Sequence, residues 1–258
     1  MPDMKSLLKN LLFFFIPKRK LYESNASILM YHSVCTDKYF STVTPYVFEK
    51  QMRYMHDMQV PVISLKELIY RIQQKKPLDG AVVLTFDDGY ADNYEHAFPI
   101  LKEFKFPATI FVTTNFISMQ GRENKAYLSI EQLREMEHSG LIDIEPHTAS
   151  HPHLSNVLVP EAEQEIRISK TVVESGLEKR CSVFAYPYGD YTDTVVEVVK
   201  KNNFEGAVTV KEGIVSLTSD IFRLPRNSID RTTTMIQFKG KISYAIVWYE
   251  QIKQYLHI

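Results

Sequence analysis

The sequence predicts an α/β fold in which about seven parallel strands form a distorted or incomplete (β/α) barrel. Short apolar, β-branched runs alternate with amphipathic stretches, and this order is typical of parallel strands joined by helical crossovers. The 258 residues, 45% of them hydrophobic, suit a single barrel of ordinary size. Polar residues follow several of the apolar runs, as in barrels whose active sites lie at the carboxyl ends of the strands.

The predicted strands are short runs that are rich in β-branched and aromatic residues. They span residues 27–31, 81–86, 108–112, 142–145, 182–186, 206–210 and 222–224, and a short extra strand is expected near 60–63. The predicted helices lie between them, at residues 45–58, 94–104, 130–139, 160–175, 192–202 and 242–256. Pro45 and Pro160 fall in the first helical turn, where a missing N–H is tolerated. Ser129 and Gln132 have the spacing of a capping box.

The composition gives weaker indications. A net charge of −1 without a Lys/Arg-rich stripe through the body of the chain argues against a nucleic-acid partner and favours a small molecule or a glycan. The two cysteines, Cys35 and Cys181, are too few for a disulfide framework, and we expect both to be reduced thiols.

Residues 1–24 form a basic and apolar N-terminal segment ahead of the domain at residues 25–258. Within it, residues 5–20 read KSLLKNLLFFFIPKRK, and the apolar stretch at 11–16 is too short to span a bilayer. No cleavage site of small residues follows, which argues against a removable secretory signal. Three interpretations remain open: peripheral contact with a membrane surface, packing against the base of the fold, or an uncleaved export anchor. We expect the protein in the cytoplasm or at the inner face of the cell membrane, with an exported and anchored form as the alternative.

Ionisable residues gather where the predicted strands end. His32 follows the first strand, Asp87 and Asp88 follow the second, and His147 and His151 follow the fourth. Two carboxylates at the end of a buried run are costly unless a partner compensates their charge. Since neighbouring strand residues point to opposite sides, we expect the two aspartates to have different roles, one toward a metal and one toward a proton.

The spacing of His147 and His151 favours a metal site. Two histidines four residues apart can converge on one ion from a tight loop or a helical turn. With one carboxylate they leave an open position for water, as catalytic zinc sites do. His153 is expected to lie outside the set of ligands. The backbone N–H of Tyr188, on the turn after Pro187, is a candidate oxyanion donor.

These motifs resemble those of the polysaccharide deacetylase family, carbohydrate esterase family four, also called the nodulation-protein deacetylase homology domain. Residues 85–89 (TFDDG) and 147–151 (HTASH) are similar to its first two motifs, and residues 184–189 (FAYPYG) are similar to its third. Residues 29–32 (LMYH) resemble the opening strand of the branch that acts on poly-N-acetylglucosamine and related bacterial exopolysaccharides. The similarity extends over about residues 27–230.

The resemblance implies a role for each motif residue. It implies that Asp88, His147 and His151 bind a divalent metal, usually zinc, and that Asp87 is the general base. Such a metal polarises the acetamide carbonyl and lowers the pKa of a water molecule. By the same resemblance, the backbone N–H of Tyr188 helps to hold the oxyanion that forms when the water attacks.

Two departures from the family pattern leave roles unassigned. The arginine that steers the base often lies two residues before the proline of the third motif, and Ala185 occupies that position here. Arg223 or Arg226 can supply the role from the last strand end, and we favour Arg226. The late motif with a histidine acid is not evident. His257 is nearly terminal, so His32 is the better candidate for the proton donor, with a structural hydrogen bond as its alternative role.

The predicted function is that of a monomeric, metal-dependent hydrolase that removes N-acetyl groups from N-acetylhexosamine units of a polysaccharide or lipid-linked glycan. Two alternatives keep the fold: an O-acetyl esterase acting on a glycan, and a catalytically inactive glycan-binding protein. Four tyrosines close to the motifs are either sugar-stacking residues or part of the core and rim. They are Tyr90, Tyr186, Tyr188 and Tyr191.

Overall fold

A mostly parallel sheet with helices packed on its outer face forms the fold. The computed structural model describes residues 13, 24–119 and 126–256. The strands are β1 (Asn25–Tyr31), β2 (Ser33–Val34), β3 (Thr42–Val43), β4 (Val82–Phe86), β5 (Ala108–Val112), β6 (Ile142–Pro146), β7 (Val183–Ala185), β8 (Gly206–Val208), β9 (Val215–Ser216) and β10 (Asn227–Ser228). The helices are α1 (Pro45–Asp57), α2 (Leu65–Gln73), α3 (Phe98–Phe104), α4 (Ile130–His138), α5 (Val159–Leu177), α6 (Asp193–Lys201), α7 (Met235–Lys241) and α8 (Ala245–Leu256).

The strand order of the main sheet is β10-β1-β4-β5-β6, and every neighbouring pair along this path is parallel. The short β9 pairs with the start of β1 in the antiparallel sense. Strands β7 and β8 form a separate parallel pair. The predicted α/β class is therefore confirmed, whereas in the described part of the chain backbone pairing does not close the sheet into a barrel.

Two predicted strands are wrong in their extent. Residues 222–224 do not form a strand, since Leu224 alone makes a bridge with Val208. Pro225 follows and has no N–H to continue the ladder. The strand that pairs with β1 begins two residues later, at Asn227. Near residues 60–63 the pairing is likewise limited to one bridge, between Val62 and Val82.

The helices differ from prediction in three places. Helix α7 was not predicted, since the predicted helix at 242–256 corresponds to α8 alone, and the predicted helix at 94–104 begins as a π turn at Asn93–Ala97. That turn ends just before Pro99, which cannot donate to a preceding carbonyl. Helix α2 was not predicted at all. Ser64 caps it by accepting a hydrogen bond from the Glu67 N–H.

Two apolar clusters hold the fold together. The larger lies between the sheet and the outer helices. The smaller lies on the opposite side of the sheet, and α2 contributes four buried side chains to it. These side chains are Leu65, Leu68, Ile69 and Ile72. Each strand of the main sheet is thus covered on both faces, which explains why its residues are almost uniformly buried.

Besides Ser24 at its end, the N-terminal segment is represented among the described residues by Phe13 alone. Its ring is fully buried, stacks on Tyr249 of α8 at 4.9 Å, and packs in one cluster with Ala245 and Ile246. The rest of residues 5–20, including the face predicted to meet a membrane, lies outside the described residues. No described helix has both the length and the apolar character needed to cross a membrane.

Candidate active site

Two parallel strands of the main sheet, β4 and β6, end at one edge and bring the predicted metal ligands together. Asp88 follows β4, and His147 and His151 follow β6. The Asp88 Oδ1 lies 3.4 Å from the His151 Nε2 and 3.9 Å from the His147 Nε2. The two Nε2 atoms are 3.2 Å apart. All three side chains thus offer a ligand atom within 4.8 Å of the others.

The donor atoms fit a divalent metal. The His147 Nδ1 lies 2.7 Å from the Ala185 carbonyl oxygen and donates to it, so that the lone pair of Nε2 faces the cluster. Burial lowers the pKa of His147, and burial together with His147 lowers the pKa of His151 to about 4. Both imidazoles are therefore neutral near pH 7, as metal binding requires. Two imidazole nitrogens and one carboxylate are a donor set that suits zinc.

Asp87 has a different partner from its neighbour. Arg226, which is fully buried, donates from both terminal nitrogens to the two oxygens of Asp87, each at 2.6 Å. The guanidinium is held in turn by the Thr209 carbonyl at 2.8 Å and the Thr85 hydroxyl at 3.2 Å. A two-pronged pair of this kind fixes the carboxylate in both position and orientation.

The charge state of Asp87 follows from two opposing effects. Burial alone would raise its pKa, but the charge of Arg226, helped by His147 and His32, outweighs burial and lowers the pKa to about 2. The carboxylate is therefore ionised at any ordinary pH and able to accept a proton. Arg223, the other predicted candidate, instead pairs with Asp193 and Asp220 at the partly exposed rim.

Left-handed backbone conformations concentrate at the site. Asp88 has φ 72°, His151 has φ 64°, and Tyr188 has φ 58°, although none of these residues is glycine. Gly89 has φ 74°, and a Cβ there would lie 2.9 Å from the Val112 side chain. Such conformations are costly and persist where the surroundings enforce them, which is common at functional sites.

The remaining predicted residues lie around this cluster. His32 follows β1, close enough to Asp87 and His151 to influence the pKa of both. Tyr188 lies against His151, with ring centroids 4.5 Å apart. Of the four tyrosines, Tyr186 is a core residue, fully buried with its hydroxyl bonded to the Phe222 carbonyl.

Two residues support the site in roles that were not predicted. Glu165 of α5 accepts hydrogen bonds from the Ala149 and Ser150 N–H groups, at 2.9 and 2.8 Å, and thereby fixes the loop between the histidines. The Tyr90 hydroxyl bonds to Asp88. Neither role is readable from the sequence, because a glutamate in an amphipathic helix is usually a solvated residue.

An α/β fold with an ionised carboxylate beside two histidines and a second aspartate, all at the carboxyl edge of the sheet, is the arrangement of a hydrolytic enzyme. Comparison with known proteins narrows this class. The sequence profile of the polysaccharide deacetylase family matches residues 74–207. The chain belongs to the polysaccharide deacetylase family.

Individual relatives agree with this assignment. YxkH of Bacillus subtilis, which carries the family name polysaccharide deacetylase, is 32% identical over 200 residues, 77% of this chain and 69% of its own. A poly-beta-1,6-N-acetyl-D-glucosamine N-deacetylase of Staphylococcus epidermidis is 31% identical over 193 residues, 72% of this chain and 67% of its own. The structure of the Streptococcus pyogenes deacetylase PplD in complex with acetate is similar with a TM-score of 0.77 and 28% identity, over 85% of this chain and 98% of PplD.

Proposed function

We propose that this polysaccharide deacetylase is a metal-dependent hydrolase that removes N-acetyl groups from N-acetylhexosamine units of a polysaccharide or lipid-linked glycan. The observation that carries the proposal is the ionised, buried Asp87 beside the converging ligand atoms of Asp88, His147 and His151. Relatives named as poly-beta-1,6-N-acetyl-D-glucosamine N-deacetylases make a β-1,6-linked N-acetylglucosamine polymer the first substrate to test.

The residues divide the chemistry between them. A divalent metal, preferably zinc, on the Asp88, His147 and His151 ligands would polarise the acetamide carbonyl and make a water molecule more acidic. Asp87 takes a proton from the attacking water while Arg226 keeps its carboxylate in place. A carboxylate with a pKa of about 2 is a weak base toward ordinary water, so the chemistry needs the acidifying group beside it.

The later part of the reaction needs a hydrogen-bond donor and an acid. The backbone N–H of Tyr188, which lies on a left-handed turn with φ 58°, is the proposed donor to the developing oxyanion. His32 is the proposed acid, because the amine of the sugar is a poor leaving group unless it is protonated as the C–N bond breaks. The products are acetate and a free amino sugar.

The test is acetate release by purified protein that has been stripped of metal and resupplied with zinc. We expect release from the N-acetylated polymer only with metal present, and a rate at least about 100-fold lower for Asp87→Asn, because the base is then lost. Asp79→Asn is the matched control, since this exposed aspartate pairs with Arg71 at the surface. Faster release from the O-acetylated form of the same sugar would favour an esterase. Tight glycan binding without turnover at full zinc occupancy would favour a binding protein.

A further inference from the structure

Tyr188 forms part of a stack that the catalytic proposal does not use. The imidazole of His153 lies flat against the Tyr188 ring, with centroids 4.0 Å apart and planes 11° from parallel. The His153 Nδ1 is 3.5 Å from the Asp190 Oδ2. The same oxygen accepts hydrogen bonds from the N–H and the hydroxyl of Ser155, at 3.1 and 2.7 Å. Asp190 thus anchors His153, and His153 supports one face of Tyr188.

The two histidines of the site are held in different ways. The ring of His147 is oriented by a hydrogen bond from its Nδ1 to the Ala185 carbonyl oxygen. In the described part of the chain, His151 has no comparable acceptor for its second ring nitrogen. Its ring instead meets Tyr188 at 72°, with centroids 4.5 Å apart. Packing against Tyr188 therefore orients the His151 ring, as the hydrogen bond to the Ala185 carbonyl orients the His147 ring.

We propose that His153, anchored by Asp190, is a positioning residue that presses Tyr188 against His151. The inference rests on the proposed function, because it assigns His151 to a metal. It adds that the aromatic stack fixes this ligand and, at the same time, the strained turn that carries the Tyr188 N–H.

The backbone explains why such support is needed. His151 and Tyr188 both have left-handed φ values, 64° and 58°, and such conformations are unfavourable for residues other than glycine and persist only where the surroundings enforce them. They lie on separate loops, after β6 and after β7. Stacked rings attract each other beyond the effect of burying their surfaces. The stack therefore joins two strained loops at the point where their positions matter for the chemistry.

The test compares His153→Ala with His153→Phe, because phenylalanine keeps the stacking ring but not the contact with Asp190. Zinc affinity is measured by competition with a chromogenic chelator, and kcat and KM by acetate release. Residues that orient metal ligands typically change affinity or activity by about 10-fold or more. We expect about 10-fold weaker zinc binding and a lower kcat for His153→Ala, and recovery of most of the zinc affinity in His153→Phe. His56→Ala is the control, since His56 is an exposed histidine far along the chain from the site.

The alternatives give different results. Wild-type zinc affinity in His153→Ala, or an equal loss in His153→Phe, would overturn the proposal, as would a wild-type protein that binds no zinc. If His153 had only a structural role, His153→Ala would lower the thermal stability of the metal-free protein and leave the zinc affinity of the folded protein unchanged, which would also overturn the proposal. Zinc binding needs no substrate, so it can be measured apart from activity. If the zinc affinities change as predicted but no glycan releases acetate, the proposed function is rejected and the positioning role of His153 is supported.

Discussion

Two adjacent aspartates at one strand end have different electrostatic environments. Asp87 is buried against Arg226. Asp88, whose own backbone is left-handed, instead faces the two histidines. A buried carboxylate without a counter-charge is strongly destabilised and becomes protonated instead. Arg226 therefore does more than stabilise the fold, since it keeps the proposed base in its ionised form.

Arg226→Met should lower the rate of acetate release by about 100-fold, because the pKa of Asp87 then rises and its carboxylate loses its orientation. Arg223→Met removes the same side chain three residues away, from an exposed pair with Asp193 and Asp220. We expect it to keep the rate within about 2-fold, as exposed ion pairs contribute little. Steady-state kinetics on both variants, with circular dichroism to verify folding, make the comparison. Equal losses would contradict the assignment of Arg226.

His32→Gln tests the proposed acid by leaving-group dependence. We expect about 100-fold slower release of acetate from an N-acetylated sugar, because the amine must be protonated as it leaves. An aryl acetate needs no such proton, since a phenolate leaves unaided, and its hydrolysis should change by less than about 3-fold. An equal loss on both substrates would assign His32 a structural role instead. Asp87, once protonated, would then be the remaining source of the proton.

At the scale of elements, the main irregularity is the gap between β6 and β7. Backbone pairing stops there, and the Glu145 carboxylate instead accepts hydrogen bonds from the Ser182 and Val183 N–H groups, at 3.0 and 3.1 Å. Lys66 lies 3.1 Å from Glu145, and Lys179 lies 3.8 Å from it. A buried side chain thus satisfies donors that a continuous sheet would have paired.

Substitution of Lys179 should destabilise the fold, because it removes a positive charge from this buried cluster. Burial and Asp143 raise the pKa of Glu145 to about 7, and Lys179 opposes them. Lys179→Met should lower the free energy of unfolding by about 3 kcal/mol, as expected for breaking a buried pair. The carboxyl pKa rises further in the folded variant, so the folded state retains a proton that the unfolded state releases. The stability deficit should therefore grow as pH rises from about 6 to 8, where Glu145 ionises in the wild-type protein and stays protonated in the variant.

Urea denaturation across this pH range measures the effect. Lys200→Met is the matched control, because Lys200 pairs with Glu197 at the exposed surface of α6. It should cost less than about 1 kcal/mol, with little pH dependence. A Lys179 deficit that is independent of pH would mean that Glu145 and Asp143 are not affected by its charge.

At the scale of the whole molecule, Phe13 joins the N-terminal segment to the last two helices. A Cβ on Gly240 would lie 2.1 Å from the Phe13 ring, so this contact requires glycine in α7. Phe13→Ala should lower the free energy of unfolding by about 3 kcal/mol, as buried aromatic truncations do. Trp248→Ala on the exposed side of α8 should cost less than about 1 kcal/mol. Thermal denaturation of the full chain distinguishes the two, and equal effects would contradict the packing of Phe13.

Contact of residues 5–20 with a membrane stays a prediction. At low salt, we expect the wild-type protein to cosediment with vesicles that contain anionic lipid. The triple substitution of Lys18, Arg19 and Lys20 by glutamine should reduce binding by at least about 10-fold, since each basic residue near the surface contributes about 1 kcal/mol. Binding that is unaffected by the substitution or by salt would reject an electrostatic attachment.

The sequence by itself predicted the α/β class, most strands, and six of the seven residues proposed for the site, whereas it left two candidates for the arginine. Local patterns suffice for these, because strand periodicity and short motif spacings are properties of neighbouring residues. Helices α2 and α7 were missed, although the apolar residues of α2 recur with helical spacing, which places all four of its buried side chains against the smaller apolar cluster.

Tertiary structure alone decided how distant residues meet. The choice between Arg226 and Arg223 depends on the path of the chain after β8, which places one guanidinium under the sheet edge and the other at the rim. Two other contacts likewise join separate loops and strands. His153 stacks on Tyr188, and Glu145 of β6 accepts a hydrogen bond from Val183 of β7. Such contacts are set by packing across the whole molecule, and no local pattern encodes them.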